Sequence, residues 1–197
     1  GWVANNQIVV LLEEDFQGLC DVEALDLSSD IISHICTSEG LLMPILLGSS
    51  INGSSLLKHS FEGLCTNHKM EREGLVDIAF LYVKSPYLNG GRTPFGIDAA
   101  GFAQMVYKIG GYALKRTAEE QSKQGEPLSF IEESEPGDLA FFDNNEGTID
   151  HVGIILKDNY IIHVNGHVRI DRLDHTGIFN TDEKLYTHQL RVIKKII

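Results

Sequence analysis

The sequence predicts an α+β fold, with helices first and a meander of strands after them. Two observations carry this. Asp98 precedes a run whose apolar residues Phe102, Val106 and Ile109 fall on one helical face, and Gly110-Gly111 stop it. From Asp138 onward, short apolar runs alternate with turn residues at Gly147, Asp158-Asn159 and Asn165-Gly166. A chain of 197 residues with 43% hydrophobic content is long enough to bury a real core.

Two composition regimes meet near residue 70 and divide the chain into 1–69 and 70–197. In the first, 19–35 reads as helical, and 41–47 and 55–61 read as short apolar runs around the turn cluster 48–54. That pattern predicts a small β-rich region with a helical insertion. In the second, 71–84 has an apolar helical face at Leu75, Ile78, Ala79 and Tyr82. Pro86 and Asn89-Gly90-Gly91 then open a loop. Helices are expected at 99–109 and 118–123, and strands at 138–142, 151–156, 160–164, 168–170 and 187–194. Asn165-Gly166 is a strong hairpin signal.

The net charge of −12 argues against nucleic acid or an anionic membrane surface as the main partner. No apolar run is long enough to span a bilayer. Cys20, Cys36 and Cys65 are odd in number and widely spaced, which fits neither a disulfide framework nor a zinc pattern. They are expected as buried free thiols. His163 and His167 are too few for a zinc site, so no metal and no cofactor is expected.

The chemistry centres on an absence. A loop ending in Asp98 opens a helix at Ala99, and two histidines follow in strand-like runs, His151 and His163. A helix start lowers a thiol's pKa and offers N–H groups to an oxyanion. A histidine oriented by a second polar group can then serve as base. This is the layout of a cysteine hydrolase, yet position 99 is alanine. From spacing alone, a strand histidine is more often a half-exposed or satisfied core residue, and Asp98 a plain helix cap.

Gly96-Ile97-Asp98-x-x-Gly101-Phe102, Pro136-Gly137-Asp138-Leu139, Asp150-His151-Val152-Gly153-Ile154 and Ile162-His163 together resemble the NlpC/P60 cysteine peptidases. Pro86-Tyr87-x-x-Gly90-Gly91 and Leu114-x-Arg116-x-x-x-x-Gln121 fit the same pattern, and the likeness extends over 71–197. It implies a papain-like domain that cuts bacterial cell-wall stem peptides after γ-D-glutamate. Residues 1–69 resemble bacterial SH3-type barrels, with Gly1-Trp2-Val3 as the closing strand of a first, truncated one. The resemblance points to γ-D-glutamyl-L-diamino acid endopeptidases acting on murein fragments with a free N-terminal L-Ala.

By that resemblance, Ala99 stands at the nucleophilic cysteine's position, His151 is the general base and His163 orients it. Asp98 helps hold the substrate's amino terminus. Ala100 stands where serine is usual, and its backbone lines the cleft. The Tyr87 hydroxyl lies near the reacting carbonyl, and Asn89 replaces a tryptophan. Ala99 reads as an inactivating change, engineered or otherwise, in an otherwise complete enzyme; the alternative is a natural pseudoenzyme that binds muropeptides without cutting them. A role in recognition by the barrel region alone is a third reading. The implied partners are peptidoglycan stem peptides or murein tripeptide. The implied location is bacterial, in the cell envelope or periplasm, with cytoplasmic recycling as the alternative.

Overall fold

The structure is a computed structural model and describes residues 3–5, 8–21, 24–144 and 146–197. The proposed closing strand at Gly1-Trp2 therefore lies outside the described residues, with Val3 at their edge. The first part contains α1 (Glu13–Cys20), β1 (Leu27–Ser28), β2 (Ile32–Cys36), β3 (Leu42–Leu46), β4 (Ser60–Phe61) and β5 (Cys65–Thr66). The second contains α2 (Arg72–Phe80), β6 (Arg92–Thr93), β7 (Gly96–Ile97), α3 (Ala99–Ile109), α4 (Ala118–Gln121) and β8 (Glu126–Leu128). Six strands follow: β9 (Leu139–Asp143), β10 (Ile149–Ile155), β11 (Tyr160–Asn165), β12 (His167–Leu173), β13 (Gly177–Asn180) and β14 (Leu185–Lys195).

The larger sheet runs β13-β12-β11-β10-β9-β14-β8, and β13 also pairs with β14. That extra pairing closes the sheet into a barrel, with β8 added outside. Ala140, Phe142, Ile155, Ile161, Leu173, Ile178 and Ile193 form one core cluster. All seven come from the strands of the barrel. Residues of opposite phase, such as Phe141, Val152, Ile154 and Ile162, pack with Leu75, Phe102 and Val106 of α2 and α3. The turn between β10 and β11 has positive φ at both Asp158 and Asn159, as a two-residue hairpin requires.

Three expectations need correction. Residues 19–35 are not a helix: α1 ends at Cys20 and β1 and β2 follow. Their backbone bonds run outward, Ser28 N to Ser49 O and Ser29 N to Leu64 O, and β-branched Ile32 and Ile35 suit a strand. The cysteines are not buried: Cys20 and Cys65 are exposed and Cys36 half-buried. They sit on a surface helix and on short strands that cover little. Finally, α2 stops at Phe80 and the chain turns, reaching positive φ at Lys84. Tyr82 is fully buried, but from a turn. In the larger sheet, two strands, β8 and β13, carried no pattern strong enough to be expected.

Residues 24–66 form two small sheets, β1-β5 and β3-β2-β4. Leu27 and Leu47 join the main core, and Lys108 Nζ donates to Gly48 O at 2.8 Å. This region therefore packs near the C-terminal end of α3. Helix α2 is tied to the barrel by Arg72, which donates to Asp138 Oδ1 at 2.7 Å and to Ile197 O at 2.7 Å. The Asp138 side chain is buried. Arg72→Ala leaves that carboxyl without its charged partner and should cost about 3 kcal/mol, read as a lower urea midpoint.

Candidate active site

The start of α3 is fixed by Asp98. Its Oδ1 accepts from Gly101 N at 2.6 Å and from Arg116 Nη1 at 3.0 Å. Its Oδ2 accepts from Gly90 N at 2.8 Å and from Arg116 Nη2 at 2.6 Å. Burial alone would raise this carboxyl. Arg116 and the two backbone N–H groups outweigh burial and hold it below the usual carboxylate range. Four donors occupy the four lone-pair sites of the carboxylate. Gly101 is required here, because a Cβ would lie 2.5 Å from Gly91 O.

An open cavity of about 1140 Å³ lies at this helix start. Tyr87, Asn89, Asp98, Ala99, Ala100, Arg116, His151 and His188 are among its walls. Five of the six residues expected in the site are therefore brought together there. His163 is fully buried behind His151. His151 Nε2 lies 2.9 Å from His163 Nδ1, and His163 Nε2 lies 3.0 Å from Asp171 Oδ2. Arg169 grips Asp171 with Nε at 2.6 Å from Oδ2 and Nη2 at 2.9 Å from Oδ1.

Sheet register explains the alignment. Gly153 pairs with His163, and His163 pairs with Arg169. His151 and Asp171 are two residues along and share that face, close enough for diagonal contact. Gly153 makes the contact sterically feasible: a Cβ there would lie 2.6 Å from Ile161 Cδ1 and 2.9 Å from His163 Cβ.

The sequence reading missed His188, Asp171 and Arg169. The ring of His188 stacks on His151, with centroids 4.0 Å apart and planes 25° apart. Nitrogens of His151, His163 and His188 lie within 4.8 Å of one another, close enough to suggest a metal. Stacked rings, however, aim their in-plane lone pairs side by side, whereas zinc needs them to converge at about 2.0–2.1 Å. The trio fits a relay better than a metal cage. His167 is elsewhere, with Nε2 3.1 Å from Lys84 Nζ, so His163 and His167 do not meet.

Burial pushes His151 well below the ordinary imidazole value, and His188 and His163 add to the effect. Burial also lowers His163, against the upward pull of Asp171. His188 is lowered to about 4, again chiefly by burial. All three rings are neutral at pH 7.

No residue before Tyr87 is among the described residues that line this cavity. Residues 24–66 lie near the other end of α3, roughly 15 Å away along an 11-residue helix. They do not narrow the cleft.

The family model described as NlpC/P60 family matches residues 84–187. The chain belongs to the NlpC/P60 family. A relative named gamma-D-glutamyl-L-lysine dipeptidyl-peptidase, from Bacillus subtilis, is 29% identical over 117 residues, covering 58% of this chain and 39% of its own length. Dipeptidyl-peptidase 6 of Lysinibacillus sphaericus is 31% identical over 124 residues, 60% of this chain and 41% of that protein. The chain thus spans about two fifths of these relatives. A crystal structure of an NlpC/P60 family protein from Bacillus cereus superposes with a TM-score of 0.76 at 19% identity, covering 100% of this chain and 70% of that one. That likeness shows the shared fold. No helix among the described residues is long and apolar enough to cross a membrane.

Each histidine of the trio has a folded pKa below its ordinary value, so the unfolded chain binds more protons and stability falls as pH drops below about 6.5. For His188 the loss accumulates down to about pH 4. The urea midpoint should be lower at pH 5 than at pH 7, with a shallower fall in His188→Phe; a flat profile would mean the rings are solvated. Gly153→Ala should separate His151 from His163 and cost roughly 1–3 kcal/mol through overpacking. Shifted imidazole NMR signals of both rings would register it, and unchanged signals would contradict it.

Proposed function

We propose that this NlpC/P60 site is built to cleave γ-D-glutamyl-L-diamino acid bonds in cell-wall stem peptides, and that the chain, with Ala99, binds such peptides without cutting them. One observation carries the reading: His151, backed by His163 at 2.9 Å, lines the same cavity as Ala99, the first residue of α3. A cysteine peptidase needs just these parts around its thiol.

With cysteine at 99, His151 takes the thiol proton at its Nδ1, and the resulting thiolate attacks the γ-D-Glu carbonyl. N–H groups of the first helical turn receive the oxyanion. His151 passes its proton to the leaving amine, and His163 keeps its ring in place. His151 then takes a proton from the water that hydrolyses the acyl-enzyme. Tyr87 stands on the cavity wall near the reacting carbonyl, and the Ala100 backbone forms the adjoining wall. Asp98 and Arg116 face the substrate's amino terminus as one neutralised pair, suited to murein fragments that begin with a free L-Ala. With alanine at 99 the covalent step has no nucleophile, and recognition alone remains.

The domains are 1–69, an SH3-like region, and 70–197, the papain-like peptidase domain. Short strands in small sheets support the first assignment. The place of action is the bacterial envelope or periplasm, with cytoplasmic fragment recycling as the alternative. A second reading, a natural pseudoenzyme, is favoured by the adjoining Ala99 and Ala100, which make the helix start chemically silent.

Ala99→Cys should cut L-Ala-γ-D-Glu-L-Lys or its diaminopimelate counterpart after γ-D-Glu, and the unaltered chain should bind the same tripeptide by calorimetry. Binding by the unaltered chain together with a folded but inactive Ala99→Cys variant would favour the pseudoenzyme. Neither binding at millimolar tripeptide nor cleavage would overturn both readings.

A further inference from the structure

We propose that Asp171, clamped by Arg169, is a positioning residue that fixes the tautomers of both His163 and His151, leaving Nδ1 of His151 as the bare, basic nitrogen. Its catalytic meaning rests on the peptidase reading above; the tautomer assignment itself does not.

The argument is a chain of forced choices. The Asp171 side chain is wholly buried and receives a bidentate guanidinium from Arg169. Arg169 presents only donors, and this arrangement suits the ionised carboxylate. An ionised carboxylate can only accept, so the 3.0 Å contact requires a proton on His163 Nε2. His163 is neutral, so its Nδ1 is bare and can only accept. The 2.9 Å contact to His151 Nε2 then requires the proton on His151. His151 is neutral as well, so its Nδ1 carries no proton. Every donor in the sequence is set by one charge at Asp171, about two ring-widths from the base.

Arg169 does more than neutralise that charge. Its Nη2 also donates to Asn180 Oδ1 at 3.2 Å and Asp182 Oδ2 at 2.9 Å. The guanidinium is thus held from β13 and the turn after it, and Asp171 cannot rotate away from His163 without breaking the clamp. His188, stacked on His151, restrains the remaining freedom of the base ring. A carboxylate behind the orienting histidine extends the pair to a four-membered relay, His151–His163–Asp171–Arg169.

The test is nitrogen NMR on histidine-labelled protein, with the unaltered Ala99 chain at neutral pH. His163 and His151 should each appear protonated at Nε2 and bare at Nδ1. Protonation of His151 at Nδ1 in that sample would overturn the proposal. In Asp171→Ala, His151 should become a mixture of tautomers. Asp171→Asn retains an acceptor oxygen and should restore the original form in large part. A folded Asp171→Ala protein in which His151 remains wholly Nε2-protonated would also overturn it. Should that variant fail to fold, the unaltered chain and Asp171→Asn still decide the matter. In the Ala99→Cys background, Asp171→Ala should lower kcat by roughly 100-fold or more with KM little changed, as expected when a base is held in the wrong tautomer. Inactivity of Ala99→Cys itself would count against the peptidase reading and leave the NMR result standing.

Discussion

The site depends on a glycine facing a histidine across two antiparallel strands. Gly153 and His163 are directly paired, and only the missing Cβ at 153 lets the His163 ring lie against His151. Once these rings touch, the rest follows by register. Arg169 is the partner of His163 on the next strand, and Asp171 lies diagonally from it. The interior of the barrel therefore changes character along its strands. Ile155, Ile161 and Leu173 make it apolar in one part, while His151, His163, Arg169 and Asp171 make it polar nearer the cavity.

The second anchor is Asp98, which joins three segments of chain. It caps α3 at Gly101, closes the loop at Gly90 and draws in Arg116. A capping bond alone is worth about 1 kcal/mol. The wider role is geometric: the loop, the helix start and the approach to α4 cannot move independently. This explains how the site keeps its shape with alanine at 99. No bond that defines the helix start passes through the side chain of residue 99, so the shape of the site does not depend on that side chain.

Much of this was legible in sequence, and the limits have physical causes. The start of α3 was readable because a cap, an apolar face and a double-glycine stop agree within one short segment. β10 and β11 were readable from β-branched runs and from turns at Asp158-Asn159 and Asn165-Gly166. Residues 19–35 misled because leucines and isoleucines there also suit helical spacing, and only pairing to Ser49 and Leu64 decides for strands. Asp171 was missed because β12 was read as ending at Ile170. A charged residue at an inward strand position looks like a strand end unless its buried partners are known. His188 was missed because its place on His151 comes from closure of the barrel through β13 and β14, which no local pattern announces.

The relay bears on what the alanine means. Burying two imidazoles, a carboxylate and most of a guanidinium is a poor way to stabilise a barrel; apolar residues of similar volume would serve as well or better. The fold also loses stability below about pH 6.5, because the unfolded chain takes up protons that these buried rings refuse. Nothing in the packing of Ala140, Phe142 and Ile193 needs histidines beside them. Structural economy therefore does not account for a fully partnered relay ending at a cavity. On the proposed reading, this is the geometry of a base kept neutral and oriented toward the cavity that holds residue 99. A binding role can use the same parts, since neutral, fixed imidazoles and a bare Nδ1 also make a defined hydrogen-bond acceptor for a peptide. What specifies the site is thus the partnering of His151, His163, Asp171 and Arg169 rather than the side chain at position 99.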